Sequence, residues 1–367
     1  MLMAGQSLSS RLLNSLSGLL SGGGGSCVGL SIGSSSVKLT ELVKAGKGWK
    51  LAHFSIAPLP DDTIVNREIV NQVALVDAIR KVFEGSKTKN KNVCLSLSGT
   101  SLIIKRLQLD VKNARELQDQ IFWEAEQYIP FEISEVIMDY QVLSRSKDGR
   151  TDAILVAVKK SVLDSYISTV EQAGLKAKIV DVDFFAMQNA YELNYPARPT
   201  EAAAVVDLGA QAMKIAIVHN GVPVFTKDTA MGGRALTAEI QKHLNLSFAD
   251  AEALKTSSTQ GNLPQEVSDL MHVASENFGL EIKRAVDIYN AQAAGAPVTH
   301  VILGGGSAKI PGLSAVVEEA TGLPCQVVNP FNAVSYDAGA WCAEYVQAIA
   351  PFAMVPVGLA MRAGAGA

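Results

Sequence analysis

The sequence predicts an α/β chain folded as two related lobes around one shared cleft. Three observations carry this. The chain has 367 residues, which at roughly 150 residues per domain makes two domains or one large bilobed unit. After residue 26, apolar residues at period 2 alternate with apolar residues at helical period, the pattern of strands feeding into helices. A strand, glycine turn, lysine, strand unit occurs twice, 176 residues apart, and a duplicated lobe is the simplest source of such a repeat.

Composition narrows the function classes. Lys+Arg 32 against Asp+Glu 36 leaves a net charge of −4, too mild to point to nucleic acid or an anionic membrane. Cys27, Cys94, Cys325 and Cys342 form no C-x-x-C pair, and the histidines show no ligand spacing around them. They read as reduced thiols in a cytosolic protein, without a structural zinc site. A mean hydropathy of +0.19 hints at membrane proximity, yet no apolar run approaches the ~20 residues that span a bilayer. Residues 1–26 match a secretory signal poorly: Asn14, Ser15 and Ser17 break the apolar stretch and no A-x-A site follows. Leu8, Leu12, Leu16, Leu19 and Leu20 instead give a weak amphipathic helix before a glycine linker at 22–25. That helix reads either as a contact to a membrane surface or partner or as an unstructured start, and a single Arg11 offers little attraction to lipid.

The elements follow in order. Residues 27–32 and 37–42 read as strands around a Gly/Ser turn, with a third strand after the Gly46-Lys47-Gly48 turn. A helix over 70–83 places Val73, Val76, Ile79, Arg80 and Phe83 near one face. Val93, Leu95 and Leu97 alternate with polar or small residues as a half-buried strand. A helix over 114–129 carries Leu117, Ile121, Ala125 and Tyr128 on one stripe and stops at Pro130. Leu163, Tyr166, Ile167 and Val170 mark another helix, closed by Gly174. Strands are expected at 202–207 and 215–218, with Asn220-Gly221 turning into a third. Three helical stretches fall between 235 and 292, the second opened by a capping-box-like Ser247 and Asp250. A buried strand at 300–303 runs into Gly304-Gly305-Gly306 and a helix from about residue 311, and the last helix is expected near 337–349.

Chemistry concentrates at the repeat. Ser31-Ile-Gly33-Ser-Ser-Ser-Val-Lys38-Leu aligns with Asp207-Leu-Gly209-Ala-Gln-Ala-Met-Lys214-Ile. A glycine lets the backbone turn tightly, and successive N–H groups then form a concavity suited to phosphate oxygens. Ser34, Ser35 and Ser36 add hydroxyls and Lys38 adds charge. One Gly-Ser hairpin is an ordinary structural turn. Two at matched spacing point to a clamp on a polyphosphate. The glycines 304–306 suit backbone lying against a flat base or ribose, or serve simply as a helix-entry turn. Glu252 and Lys255, spaced i, i+3, suit ribose hydroxyls and a base edge, or form a simple ion pair worth about 0.3–0.5 kcal/mol. There is no Walker loop, G-x-G-x-x-G, H-E-x-x-H, serine nucleophile elbow or basic–aromatic stretch for nucleic acid.

These residues resemble the actin-like (ribonuclease H-like, duplicated) ATPase superfamily, with the hairpins as its two phosphate loops and 301–307 as its adenosine loop. Within it the chain resembles the PilM family of type IV pilus assembly proteins, relatives of the division protein FtsA. The stretches that carry this are 29–38, Trp123-Glu-Ala-Glu-Gln-Tyr-Ile-Pro-Phe131, Ala157-Val-Lys-Lys160 with Gln172-Ala-Gly-Leu175, Met231-Gly-Gly233 with 251–255, and Gly358-Leu-Ala-Met-Arg362. The resemblance implies a layout. Residues 27–89, 161–198 and 331–367 would form subdomain IA, 90–160 subdomain IC, 199–232 with 276–330 subdomain IIA, and 233–275 subdomain IIB. It implies ATP or ADP held at Gly33, Ser34, Ser35, Ser36, Lys38, Asp207, Gly209, Gly232, Gly233, Glu252, Lys255, Gly304, Gly305, Gly306 and Arg284, with Glu281 one turn from Arg284 also facing the nucleotide. Asp207 is the expected carboxylate for Mg2+, directly or through water, or for positioning a catalytic water.

One departure bears on chemistry. The family's first loop usually carries Asp where this chain has Ser31, so metal binding is expected to weaken and hydrolysis to be weak or absent. Asp181 and Asp183 follow a strand but also read as turn residues. The resemblance implies a cytoplasmic scaffold, peripheral to the inner membrane. It would dock the N-terminal tail of a PilN-like membrane protein in an IA/IC groove and join the PilO/PilN complex and the assembly ATPase, with self-association a further option. The alternatives are an FtsA-like membrane-tethered polymer in division, or a small-molecule kinase of the same fold, against which Ser31 argues.

Overall fold

The computed structural model describes residues 27–111, 114–146, 148, 150–196, 198–257, 263–292 and 296–362. The amphipathic segment expected at 8–20 lies outside them. The first lobe begins with an antiparallel meander, β1 (Val28–Ile32), β2 (Ser36–Ala45) and β3 (Gly48–Pro58). A small hairpin, β4 (Ile64–Val65) and β5 (Glu68–Ile69), leads into α1 (Gln72–Ser86) and β6 (Asn92–Leu97). An inserted unit follows: β7 (Leu102–Asp110), α2 (Ala114–Tyr128), β8 (Val136–Arg145) and β9 (Arg150–Lys159), a three-stranded sheet in the order β7-β9-β8. The chain then returns through α3 (Lys160–Gln172), β10 (Lys176–Val182) and α4 (Asp183–Asn194).

The second lobe repeats the opening. β11 (Ala202–Leu208), β12 (Met213–His219) and β13 (Val222–Thr229) form a meander. Helices α5 (Gly233–Leu244), α6 (Phe248–Ser257) and α7 (Gln265–Gln292) follow, then β14 (Val298–Gly304), α8 (Leu313–Thr321), β15 (Cys325–Val327), β16 (Val334–Ser335) and α9 (Ala343–Arg362). The two main sheets run β10-β6-β1-β2-β3-β16 and β13-β12-β11-β14-β15. In each, the first strand of the meander is antiparallel to the second and parallel to a strand reached by crossover: β1 beside β6, β11 beside β14. The duplication read from the sequence is therefore present in strand order.

Strands buried on both faces read as continuous apolar runs. On β11, Ala204, Val206 and Leu208 pack under α7 and its neighbours, while Ala203 and Val205 face the core shared with α4 and α9. That shared core joins the lobes. α4 is buried over Asp183 to Tyr191, its apolar Phe184, Phe185, Ala186 and Met187 in the shared core and its polar Gln188 donating to the Gly221 carbonyl at 2.6 Å. Gly358 lets α9 touch it: a Cβ there would lie 1.8 Å from the Ala186 carbonyl oxygen. The inserted sheet buries Leu107, Leu109, Ala153 and Leu155 under Leu117, Ile121 and Ala125 of α2, and sends Ile154 and Val156 into the shared core.

Three expectations need correction. The last helix runs Ala343–Arg362, not 337–349, and passes through Pro351 and Pro356. An internal proline costs ~3 kcal/mol, and here burial of nearly the whole stretch from Ile349 to Ala360 offsets it. This helix is long and apolar enough to cross a membrane by length and composition, but 67% of its apolar window is buried in the core. Val73 is 74% exposed, because α1 starts after the Asn71 cap and buries Leu75, Val76, Ala78, Ile79 and Val82. Tyr128 is also exposed, lying beneath the Lys105 ammonium at 4.3 Å. Local signals held elsewhere. Asn220 (φ 48) and Gly221 (φ 72) make the two-residue turn, and the Asp250 N–H donates to Ser247 Oγ at 3.1 Å.

Candidate functional site in the interlobe cleft

The two hairpins are built alike. The Gly33 N–H donates to the Ser36 carbonyl at 3.1 Å, and the Gly209 N–H to the Ala212 carbonyl at 2.9 Å. In register, Ser31 stands opposite Lys38 and Asp207 opposite Lys214. A turn of fixed length sets this pairing, so each loop delivers one lysine back toward its own first strand. Both hairpins line a cavity of about 500 Å³ between the lobes, within the ~300–1,000 Å³ of small-molecule sites. The segment after β14 closes the cavity from the second lobe. Gly305 has φ +88, and a Cβ there would lie 2.3 Å from the Leu208 carbonyl oxygen, so only glycine fits. Its N–H donates to the Pro351 carbonyl at 2.7 Å, and Ser307 Oγ donates to the Gly209 carbonyl at 3.0 Å. The turn is thus fastened to both α9 and the second hairpin.

Charge in the cleft is paired. Lys214 Nζ lies 2.8 Å from Asp183 Oδ2 and 3.2 Å from Asp207 Oδ2. Burial works against the Lys214 ammonium, but Asp183 and Asp207 more than offset it and raise its pKa. Burial likewise works against the Asp183 carboxylate. The Lys214 charge and hydroxyl donors from Ser96 and Ser98 prevail, holding it below the ordinary carboxylate value. Lys38 is lowered by burial, against the pull of Asp207. Lys255 donates to the Gly233 carbonyl at 3.1 Å and to Thr237 Oγ1 at 2.8 Å, and pairs with Glu252 at 2.7 Å. Two arginines cross between the lobes: Arg67 to Asp228, and Arg234 to Asp61 at 3.0 Å.

Most of the expected site residues meet here. Gly33, Ser34, Ser35, Ser36, Lys38, Asp207, Gly209, Glu252, Lys255, Gly305 and Gly306 all line the cavity. Gly232, Gly233 and Gly304 stand behind the lining. A Cβ at Gly232 would lie 2.5 Å from the Ala210 carbonyl oxygen, one at Gly233 2.3 Å from Ser307 Oγ, and one at Gly304 2.6 Å from Met354 Cε. Arg284 is not brought in: its side chain is 70% exposed and contacts Glu281 at 3.4 Å, and Glu281 is held by Lys227 at 2.7 Å. Asp183, Arg67 and Arg234 line the cavity as well, and no site motif pointed to them. Asp183 opens α4 directly after β10, and a carboxylate where a strand hands over to a helix was the available signal.

A divalent ion does not fit these donors well. Of the carboxylates near the hairpins, Asp183 and Asp207 are both bound by Lys214, and Asp228 is paired with Arg67. Ser31 adds no charge. Among the described residues no group of three or more His, Cys, Asp or Glu is arranged to hold a metal.

Comparison with known proteins decides the family. The model of the family described as type IV pilus assembly protein PilM matches residues 29–364. The chain belongs to the PilM family. Its fold is accordingly the bilobed actin-like one. A solved PilM–PilN type IV pilus biogenesis complex superposes with a TM-score of 0.83 at 25% identity, covering 93% of this PilM-family chain and 99% of that one. The cell division protein FtsA of Streptococcus pneumoniae is 24% identical over 348 residues, 82% of this chain and 75% of that protein. FtsA of Staphylococcus epidermidis is 31% identical over 109 residues, a match that spans only 22% of that relative's length.

Proposed function

We propose that this PilM-family protein binds ATP or ADP in its interlobe cleft and acts as a nucleotide-dependent scaffold in type IV pilus assembly. One observation carries the nucleotide reading: two hairpins of the same hydrogen-bonded geometry present Lys38 and Lys214 to a single cavity. Loop N–H groups and two ammoniums suit phosphates, and the 305–310 segment with Phe248, Glu252 and Lys255 offers room for a nucleoside. Binding would tie the lobes together and so shift the population of closed molecules. Hydrolysis would be slow, since Ser31 brings no carboxylate and Asp207 is engaged by Lys214.

The partner in this reading is the N-terminal tail of a PilN-like membrane protein, supported by the solved PilM–PilN relative. The subdomain division given above would place the tail between IA and the inserted IC unit. On that unit α2 leaves Phe122 and Trp123 exposed, apolar surface of the kind a docking peptide covers. The protein would then be cytoplasmic and reach the inner membrane through partners. Two measurements test the reading: nucleotide released on denaturing the purified protein, identified by chromatography, and pull-down by a tail peptide with and without nucleotide. Failure of the peptide to bind in either state would remove the scaffold role.

A further inference from the structure

Lys38 and Lys214 hold equivalent places in the two hairpins, but their surroundings differ. Lys38 stands opposite Ser31, and Lys214 opposite Asp207. Lys214 also reaches Asp183, which comes from α4 of the other lobe. Its side chain is 15% exposed, and the carboxylates it joins are 11% and 15% exposed, so the three groups form one part-buried cluster in the cavity wall. A hard divalent ion in this cleft would need oxygen ligands at ~2.0–2.6 Å. Asp183 and Asp207 each have the Lys214 ammonium within hydrogen-bond distance, and Asp228, opposite Lys214 in register, is paired with Arg67.

The charges agree with this occupancy. The cavity lining carries four carboxylates against six lysines and arginines, an excess of positive charge without any ion. Ser31, opposite Lys38 in register, adds no carboxylate to that set. Ser31 offers a divalent ion no charge, and Lys214 already engages both carboxylates beside it. A compact ammonium with three rotatable donors is also able to keep its carboxylates while turning a donor toward a phosphate oxygen.

We propose that Lys214 is the resident cation of the cleft: it takes the position between Asp183 and Asp207, so the protein itself holds no divalent ion there. Resting on the nucleotide reading, it follows that Lys38, Lys214 and the loop N–H groups bind the phosphates without help from Mg2+.

The test has two arms. In the first, Mn2+ is titrated by electron paramagnetic resonance into the full chain dialysed free of nucleotide. Wild type and Lys214→Arg should bind no Mn2+ at sub-millimolar concentration. Lys214→Ser should gain one site, seen also as a rise in Tm on adding Mn2+. Stoichiometric Mn2+ binding by the wild type overturns the proposal, whether or not the serine variant folds. In the second arm, ADP affinity is measured by calorimetry in EDTA and in excess Mg2+. The expected difference is within about threefold, and a loss of more than about tenfold in EDTA overturns Mg2+ independence. Absence of ADP binding in both conditions overturns the nucleotide reading, while the Mn2+ arm still decides whether Lys214 is the resident cation.

Discussion

Arg67, on the hairpin between β4 and β5, pairs with Asp228 on β13, and so links the two lobes across the cleft. The pair is imperfect: Arg67 Nε and Asp228 Oδ2 are buried with no hydrogen-bond partner. The pair is part-buried on both sides, with side chains 22% and 18% exposed. Arg67→Ala should loosen the closed arrangement. Hydrogen exchange in 64–69 and 222–229 should rise, and the radius of gyration from solution scattering should increase. Unchanged values in both would mean that the link contributes nothing to closure.

Asp181 and Arg362 form a second long-range pair, with side chains 0% and 3% exposed. It pins the end of α9 beneath β10. Removing one partner of a buried pair strands a charge and costs about 3–5 kcal/mol. Arg362→Leu should lower the urea-unfolding free energy by that amount. Asp181→Leu combined with Arg362→Leu should recover most of the loss, and a double variant no better than the single one would show that packing, not charge, dominates there.

Close packing of α9 gives a sharper test. At Gly358 an added Cβ meets the Ala186 carbonyl at 1.8 Å, and at Gly29 one meets the Pro356 carbonyl at 2.1 Å. Neither neighbour is a flexible side chain, so backbone must move. Gly358→Ala should cost about 3 kcal/mol or more, read as a fall in Tm. Gly46→Ala, in open space at φ +60, should cost about 1–2 kcal/mol through backbone strain alone.

The Asp183–Lys214 pair makes a pH prediction. Asp183 is depressed in the fold, so its contribution is present above the unfolded value of ~3.9 and lost as pH falls through the folded value. Lys214 is raised, so its contribution is present below ~10.4 and lost only as pH rises through the folded value. Between about pH 5 and pH 9 the pair contributes steadily. The Tm gap between wild type and Asp183→Asn should therefore be flat across that window and shrink in acid. A gap that grew in acid would contradict the pairing.

What was legible in the sequence depended on range. The hairpins were readable because Gly33 to Lys38 and Gly209 to Lys214 lie within one turn and its flanking strands, so spacing alone sets the register. The capping at Ser247 and the Asn220-Gly221 turn are equally local. Asp183, Arg67 and Arg234 were not readable as site residues, because they reach the cleft from separate elements and only the tertiary fold brings them together. The end of α9 was not legible because Pro351 and Pro356 are local breakers, while the burial that overrides them comes from α4, β1 and β2. Arg284 had a suggestive spacing from Glu281, but it lies on the solvent side of α7.

In the proposed function the duplicated hairpins form one nucleotide site. Calorimetric titration of the purified full chain with ADP, wild type beside Lys38→Ala, tests it most directly. One ADP should bind per chain, at least about tenfold more weakly to the variant, as expected for loss of a charge-assisted hydrogen bond. A wild-type titration with no binding, or an affinity that the Lys38→Ala substitution leaves unchanged, would contradict it.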